Sequence, residues 1–180
     1  LVLRADSVDY DRGRHRAIAT GNPALTAKDE DGREAVIRAR RLEVNTETRV
    51  AEAIDSVHVV RDTLEARADY GRFEGRADRG WLVGHPRAWD DQTTLTGDTL
   101  AIVTHERVLE RLEVRGNPMV DYTGSHPDTK GELSRLSGER IDVYFADQEI
   151  DSLVAIGKAR DEYAQLEGRA RRSAAPEGVQ

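Results

Sequence analysis

The chain places Ala5-Asp6-Ser7-Val8-Asp9-Tyr10 before Gly21-Asn22-Pro23, and repeats the phrase as Ala68-Asp69-Tyr70-Gly71-Arg72-Phe73 before Gly84-His85-Pro86. In both copies the glycine follows the alanine by 16 positions (5 to 21 and 68 to 84). Self-similarity at a fixed spacing is typical of stacked repeat architectures, in which each unit packs on its neighbours. The phrase therefore predicts a stack of similar units, and it directs the search for function toward an extended surface or groove.

The repeat continues through most of the chain. A third copy runs from Ala39 to Asp55, again over 16 positions, with Asp55 in place of the glycine. Two later copies are slightly longer, with 19 positions from Gly97 to Gly116 and from Gly138 to Gly157. The five openings stand at positions 5, 39, 68, 97 and 138. Their unequal spacing falls in segments that read as loops, so we predict five units.

Each unit has the alternation of a β-hairpin. Leu100 and Ile102, then Leu112 and Val114, alternate with polar residues, which places one side of each strand inward. Short polar segments such as Thr104-His105-Glu106 separate the strands, and connections of this length join antiparallel neighbours. Two strands in each of five units give about ten strands, and at roughly 4.8 Å per strand the stack is on the order of 50 Å long.

The Gly-x-Pro phrase has a structural explanation. Proline cannot donate a ladder hydrogen bond and is tolerated at strand ends and bulges. Glycine permits a sharp bend or a positive φ. We therefore predict that Gly21-Asn22-Pro23, Gly84-His85-Pro86 and Gly116-Asn117-Pro118 are corners at which a strand bends.

Composition limits the classes of function. A chain of 180 residues is normally one domain. With 38% hydrophobic and 34% charged residues, it has a thin core and a highly charged surface, as suits a narrow stack. The net charge of −7, without a run of basic residues, argues against nucleic acid as a partner.

The sequence gives little indication of catalysis. The five histidines, at positions 15, 58, 85, 105 and 126, lack the spacing of metal ligands. There is no cysteine and therefore no thiolate site or disulfide. No phosphate loop, dinucleotide fingerprint or nucleophile elbow is present. We predict no catalytic residue, no metal and no cofactor.

Several stretches carry a resemblance to a known family. They are Ala5 to Asp11 with Ala19-Thr20-Gly21-Asn22-Pro23, Leu82 to Pro86, Leu95-Thr96-Gly97-Asp98, and Leu136 to Ile141. In these residues the chain resembles the OstA-like (LptA-like) family of periplasmic lipopolysaccharide-transport proteins. The likeness covers about residues 1 to 163 and is a distributed pattern.

The resemblance implies an all-β fold, the OstA-like β-jellyroll, in which V-shaped antiparallel strands stack into an open-ended, solenoid-like arrangement. It implies a hydrophobic groove that holds the acyl chains of lipopolysaccharide or another amphiphilic lipid. It also implies a periplasmic location, an export signal upstream of these residues, and other OstA-like proteins as partners through edge strands. Unpaired strand edges are a template for such pairing.

Inward-facing apolar residues are the candidates for this groove, and each could equally serve as ordinary core packing. The candidates are Ile18, Leu42, Val44, Val57, Val59, Leu82, Leu100, Ile102, Leu112, Val114, Ile141, Val143, Phe145 and Ile156.

The domain is expected to span 1–163. The remaining residues, 164–180, are rich in small and polar types and are expected to form a flexible loop or tail that leads toward a further unit outside the chain.

Two alternative functions come from other classes. One is a structural β-solenoid that holds partners without lipid, in which case its interior would be fully packed. The other is a carbohydrate-active β-helix, for which Trp81, Trp89 and the pair Asp90-Asp91 could supply a platform and carboxylates. We rank lipid transport first and the enzyme last.

Overall fold

The computed structural model describes residues 1–28, 32–106, 108–123, 132–147 and 149–165. Within these residues all regular secondary structure is β-strand, and all strands pair antiparallel in a single sheet. The chain bends sharply at repeated corners, which divide the sheet into two arms of a V. The predicted all-β stack of V-shaped antiparallel strands is confirmed.

Each arm contains ten strands or strand halves within the described residues. Arm I contains β2 (Ser7–Asp11), β3 (Arg16–Thr20), β6 (Arg41–Asn45), the first half of β7 (Val50–Arg61), the second half of β8 (Leu64–Glu74), β9 (Arg79–Val83), β12 (Thr99–His105), β13 (Val108–Arg115), β16 (Arg140–Ala146) and β17 (Glu149–Ile156). Arm II contains β1 (Val2–Arg4), β4 (Ala24–Lys28), β5 (Glu34–Arg38), the other halves of β7 and β8, β10 (Arg87–Trp89), β11 (Thr93–Thr96), β14 (Met119–Thr123), β15 (Glu132–Ser137) and β18 (Arg160–Gln165).

The strands of each arm stack in the order given above. In arm I, β3 pairs with β6, β9 with β12 and β13 with β16. In arm II, β4 pairs with β5, β8 with β10 and β11 with β14. The chain thus runs along one V, reverses in a hairpin and returns along the next, which gives ten V-shaped layers among the described residues.

The corners that lead from arm I to arm II share an unusual backbone. At each corner two successive residues have positive φ, namely Gly21 and Asn22, Asp55 and Ser56, Gly84 and His85, Gly116 and Asn117, and Gly157 and Lys158. Where a proline follows, as at Pro23, Pro86 and Pro118, it is buried. The prediction that Gly-x-Pro marks a corner is confirmed, because glycine takes a left-handed conformation that side chains disfavour.

The Ala-Asp part of the repeated phrase joins consecutive layers at the corners. The amide of Asp6 donates to the carbonyl of Gly21 at 2.9 Å, and that of Asp69 donates to Gly84 at 3.3 Å. The Asp69 side chain also covers Gly84 so closely that a Cβ there would lie 2.7 Å from the Asp69 Cβ. The spacing between the alanine and the glycine therefore reflects two layers in direct contact.

The copy at 39–55 keeps this backbone with different side chains. Arg40 stands where the other copies have Asp or Glu, and its amide donates to the carbonyl of Asp55 at 2.8 Å. Asp55, which replaces the glycine, still has a φ of 62°. The acidic residue of this copy is therefore at the corner, and a basic residue lies against it in the next layer. The backbone geometry is the same as in the other copies.

The core lies between the arms. Alternate residues of arm I are fully or almost fully buried across the stack, as for Leu42, Leu82, Leu100, Val114 and Ile141. From arm II, Leu25, Leu95 and Val120 are buried against the same core.

The end of the chain only partly falls within the described residues. β18 continues to Gln165, two residues past the expected domain end at 163. The rest of the predicted tail, 166–180, lies outside the described residues.

Candidate functional site

An apolar cavity separates the two arms away from the corners. Its volume is about 590 Å³. Both arms contribute walls, and most of the lining is aliphatic or aromatic. From arm I the principal wall residues are Val44, Phe73, Leu100, Ile102, Leu109 and Leu112, and from arm II they are Leu25, Ile37, Val59, Leu64, Ala66 and Ala88.

The cavity exists because several inward-facing residues of the central strands are small. Ala51 and Gly80 in arm I, and Ala66 and Ala88 in arm II, line it and cannot reach across the gap between the arms. Packed sheets stand about 10 Å apart, a distance that larger aliphatic side chains normally fill. Phe73 is the largest side chain on the wall, and a Cβ at Gly80 would come within 2.8 Å of its ring.

Polar residues stand at the rim. Asn45, Thr46, Arg49, Glu74 and Asp78 line the same cavity from β6, β8 and the hairpin turns at the tips of arm I. A ligand in the cavity would therefore meet apolar walls within and polar groups at the tips of the V. This arrangement suits an amphiphile.

Twelve of the fourteen predicted inward residues lie on the inner side of the V. Five of them line the cavity, namely Val44, Val59, Leu100, Ile102 and Leu112. Six are buried in the core, namely Leu42, Val57, Leu82, Val114, Ile141 and Val143. Phe145 is partly buried and packs against the same core.

The inward prediction is wrong for Ile18 and Ile156. Ile18 pairs directly with Asp9 and Glu43 on the outer face, and Ile156 is 40% exposed. In β3 the inner positions belong to Ala17 and Ala19, which are 7% and 0% exposed. The largest apolar residue of that strand is therefore on its outer side.

Sequence reasoning also missed much of the cavity wall. Phe73, Leu25, Ile37, Leu64 and Leu109 were not among the candidates. The available signal was period-2 placement of alanine beside larger apolar residues, as in Ala66 and Ala68 of β8. In β3, β7 and β8, pairs of buried alanines at alternate positions mark the inner face.

The outer face of arm I is a ladder of ion pairs. Arg16 and Arg41 both contact Glu43. Arg72 lies 2.9 Å from Glu52 and 2.9 Å from Glu74, and Arg140 lies 3.1 Å from Asp142. These long side chains cover the middle of the sheet, so that Glu43 is only 8% exposed.

The charges around Glu43 set its pKa. Burial by itself would raise the pKa of this carboxyl, but the hydrogen bond and charge of Arg16, with the charge of Arg41, outweigh burial and hold the pKa below its usual range. A depressed folded-state pKa contributes stability above the unfolded-state value of about 4.3, and this contribution is lost as the pH falls through the folded-state pKa.

Glu43→Gln is therefore expected to lower the free energy of unfolding by about 1 kcal/mol at pH 7. The difference from the parent chain should shrink as the pH falls below the unfolded-state value of about 4.3, and it should disappear only below the depressed folded-state pKa, where the parent carboxyl is neutral in both states. Urea unfolding followed by circular dichroism across this range measures it. Glu110→Gln, at an exposed position of β13, is the control and should have little effect at any pH. A Glu43→Gln deficit that persists at low pH would contradict the electrostatic explanation.

The two tryptophans do not form one platform. Trp81 lies on the outer face of arm I, opposite Arg72 and Ala101. Trp89 lies on the outer face of arm II, where its ring stacks on His58. Asp90 accepts hydrogen bonds from the amides of Gln92 and Thr93 at 2.9 and 2.7 Å, as a turn-forming residue does.

The described residues lack two further kinds of feature. They contain no group of three or more His, Cys, Asp or Glu side chains placed to hold a metal ion. They also contain no helix of the length and apolarity needed to cross a membrane.

Comparison with known proteins places the fold. The chain matches no protein-family model and no curated protein sequence. Its structure is similar to that of LptH, described as the LptA homologous periplasmic component of the conserved lipopolysaccharide transport device from Pseudomonas aeruginosa. The TM-score is 0.54 at 12% sequence identity, over 74% of this chain and 92% of LptH. At this identity the similarity concerns the fold alone, and it shows that the chain has an LptA-like β-jellyroll fold.

Proposed function

We propose that this protein is a periplasmic lipid-transport bridge that holds the acyl chains of lipopolysaccharide, or of a closely similar amphiphile, between its two arms. The observation that carries the proposal is the apolar cavity of about 590 Å³. Pockets of roughly 300–1,000 Å³ are the usual size for small-molecule ligands. The cavity has room for part of an acyl chain or for the ends of several.

The chemistry of the walls supports an acyl ligand. Transfer of apolar surface from water into an apolar slot is favourable by roughly 25 cal/mol per Å² and requires no directional contact. Ile102, Leu100 and Val59 supply such surface from opposite arms. A polar headgroup can remain at the rim near Asn45 and Arg49, in contact with water.

The ends of the stack support the proposed partners. Within the described residues, β1 and β2 have a neighbour on one side only at the first end, and β17 and β18 at the last. Val8 and Tyr10 lie opposite the inward-facing Ala19 and Ala17, yet they are 49% and 50% exposed. Pairing of these edges with another protein of the same fold would cover this apolar surface and extend the groove.

Transport by such a bridge needs no catalytic residue here. The lipid moves along a continuous apolar path, and the energy that drives it is supplied by other components. An export signal upstream of these residues would deliver the protein to the periplasm.

The test is to purify the protein from its native envelope and identify any bound lipid by mass spectrometry. We expect lipopolysaccharide or a related acylated lipid to co-purify in a reproducible molar ratio. The protein stripped of lipid should take up added lipopolysaccharide. Recovery of no amphiphile in repeated preparations, together with no uptake, would instead favour a scaffold without lipid.

A further inference from the structure

A row of cationic residues crosses the outer face of arm II. Strand register places six residues directly opposite one another on six successive strands, namely Arg4, Ala24, Arg38, His58, Arg67 and Arg87. Four of them carry a guanidinium and one an imidazole. We call Arg4, Arg38, His58, Arg67 and Arg87 the basic row. At about 4.8 Å per strand it extends over roughly 24 Å.

The basic row differs from the corresponding face of arm I. In arm I the outward arginines meet carboxylates, as Arg72 meets Glu52 and Arg140 meets Asp142. In arm II, Arg4, Arg38, Arg67 and Arg87 are exposed, and none of them has a carboxylate within ion-pair distance in the described part of the chain. Elsewhere on the outer face of arm II, Lys28 pairs with Glu34 and Arg135 pairs with Asp121, so the four arginines of the basic row differ from both of these pairs and from the arginines of arm I.

Trp89 lies on β10, at one end of the basic row. The guanidinium of Arg67 stands 5.5 Å from its ring centroid and that of Arg87 stands 5.7 Å away. His58 stacks on the same ring, with centroids 6.5 Å apart, and contacts Glu65 at 2.8 Å. The Glu65 carboxylate is therefore paired with His58, while the guanidinium groups of Arg67 and Arg87 lie over the Trp89 ring.

The neighbouring positions on this face include several apolar residues. Val36 pairs with Val60 on the adjacent strand, and Val60 pairs with Glu65, which lies opposite Trp89. Two valines and an indole, with Glu65 between Val60 and Trp89, thus run beside the basic row. Tryptophan is enriched at membrane interfaces, where its amphipathic ring lies at headgroup level.

Like charges on directly opposed strand positions are destabilising, as for Arg67 and Arg87. The chain as a whole is acidic, with a net charge of −7. A row of arginines beside apolar residues, on an otherwise acidic protein, is complementary in charge to an extended surface of phosphate groups.

We propose that the outer face of arm II docks on the anionic phospholipid surface of a membrane. The docking face and the cavity lie on opposite sides of the sheet, so this proposal stands independently of the ligand between the arms.

The test is co-sedimentation of the purified protein with vesicles of phosphatidylcholine, with or without a large fraction of phosphatidylglycerol. Binding is expected only to the anionic vesicles and should weaken as salt is raised. Arg67→Gln with Arg87→Gln should reduce partitioning about tenfold or more, because each arginine near an anionic surface contributes to binding. Arg38→Gln alone should give a smaller loss. Circular dichroism of each variant confirms that it is folded.

The matched control is Arg41→Gln with Arg115→Gln, which changes the net charge equally on the outer face of arm I. This variant should bind the anionic vesicles as the parent does. Absence of binding by the parent protein would overturn the proposal, and so would an equal loss in both double variants. Specific binding of polyglutamate by the basic row, without vesicle binding, would assign the row to an acidic polypeptide and would also overturn it.

Discussion

Ile102→Asp is expected to reduce the affinity for lipopolysaccharide by at least tenfold. Ile102 lies on β12 and lines the cavity. A carboxylate in this wall must either lose water when an acyl chain enters or keep the water and exclude the chain. Leaving a charge unpaired in apolar surroundings costs several kcal/mol. Lipopolysaccharide binding by stripped protein, measured by titration of a fluorescent acylated probe, gives the affinity.

The control places the same charge on the same strand but on the opposite face. Val103 is next to Ile102, and its ladder partners are Arg79 and Arg111. Val103→Asp should therefore be well tolerated and should leave lipid affinity unchanged. Equal losses in the two variants would mean that charge or stability, and not the cavity, determines binding.

Gly84→Ala is expected to lower the free energy of unfolding by about 3 kcal/mol. The φ of Gly84 is 84°, and left-handed conformations cost a residue with a Cβ roughly 1–2 kcal/mol. In addition, the new Cβ would lie 2.5 Å from the Asp69 Oδ2 and 2.7 Å from its Cβ. The layers joined at this corner must then separate or distort. Denaturant unfolding measures the change.

Gly32→Ala separates the two causes. Gly32 has nearly the same φ, 82°, but a Cβ there would meet nothing within 4 Å. The expected loss is therefore only about 1 kcal/mol. Combining Gly84→Ala with Asp69→Gly should recover the steric part of the loss in a double-mutant cycle. If Gly84→Ala and Gly32→Ala are equally destabilising, the contact between layers is not what the repeated phrase preserves.

The stack and its corners were predictable because the phrase encodes a backbone requirement. Gly21 and Gly84 must take positive φ, and Asp6 and Asp69 must lie against them in the next layer. Such requirements place particular residue types at constant spacings, and this pattern can be recognised in a single sequence.

The inner face was less predictable, because the size of an apolar side chain does not determine which side of the strand it faces. Alternation favours the larger apolar residue as the inward one, which fails in β3, where Ala17 and Ala19 face inward and Ile18 does not. The cavity was predicted only because the chain resembles the OstA-like family, and not from the pattern of its residues. Its volume depends on how far the arms stand apart and on which small side chains face each other, such as Ala66 and Gly80.

The basic row could not be recognised in the sequence. Arg4, Arg38, Arg67 and Arg87 are scattered through the first half of the chain, and no run of basic residues marks them. They come together only through the registers of six strands, including the pairing of β8 with β10 across the corner at Gly84. Absence of a basic run argues against a basic segment, but it does not exclude a basic face.

The central claim is that acyl chains lie between the arms, and photo-crosslinking tests it most directly. A benzoylphenylalanine placed at Ile102 faces the cavity, whereas one at Val103 faces outward from the same strand. After irradiation with lipopolysaccharide, we predict a crosslinked adduct from position 102 and none from position 103. Equal crosslinking at the two positions, or crosslinking from 103 alone, would contradict a lipid path between the arms.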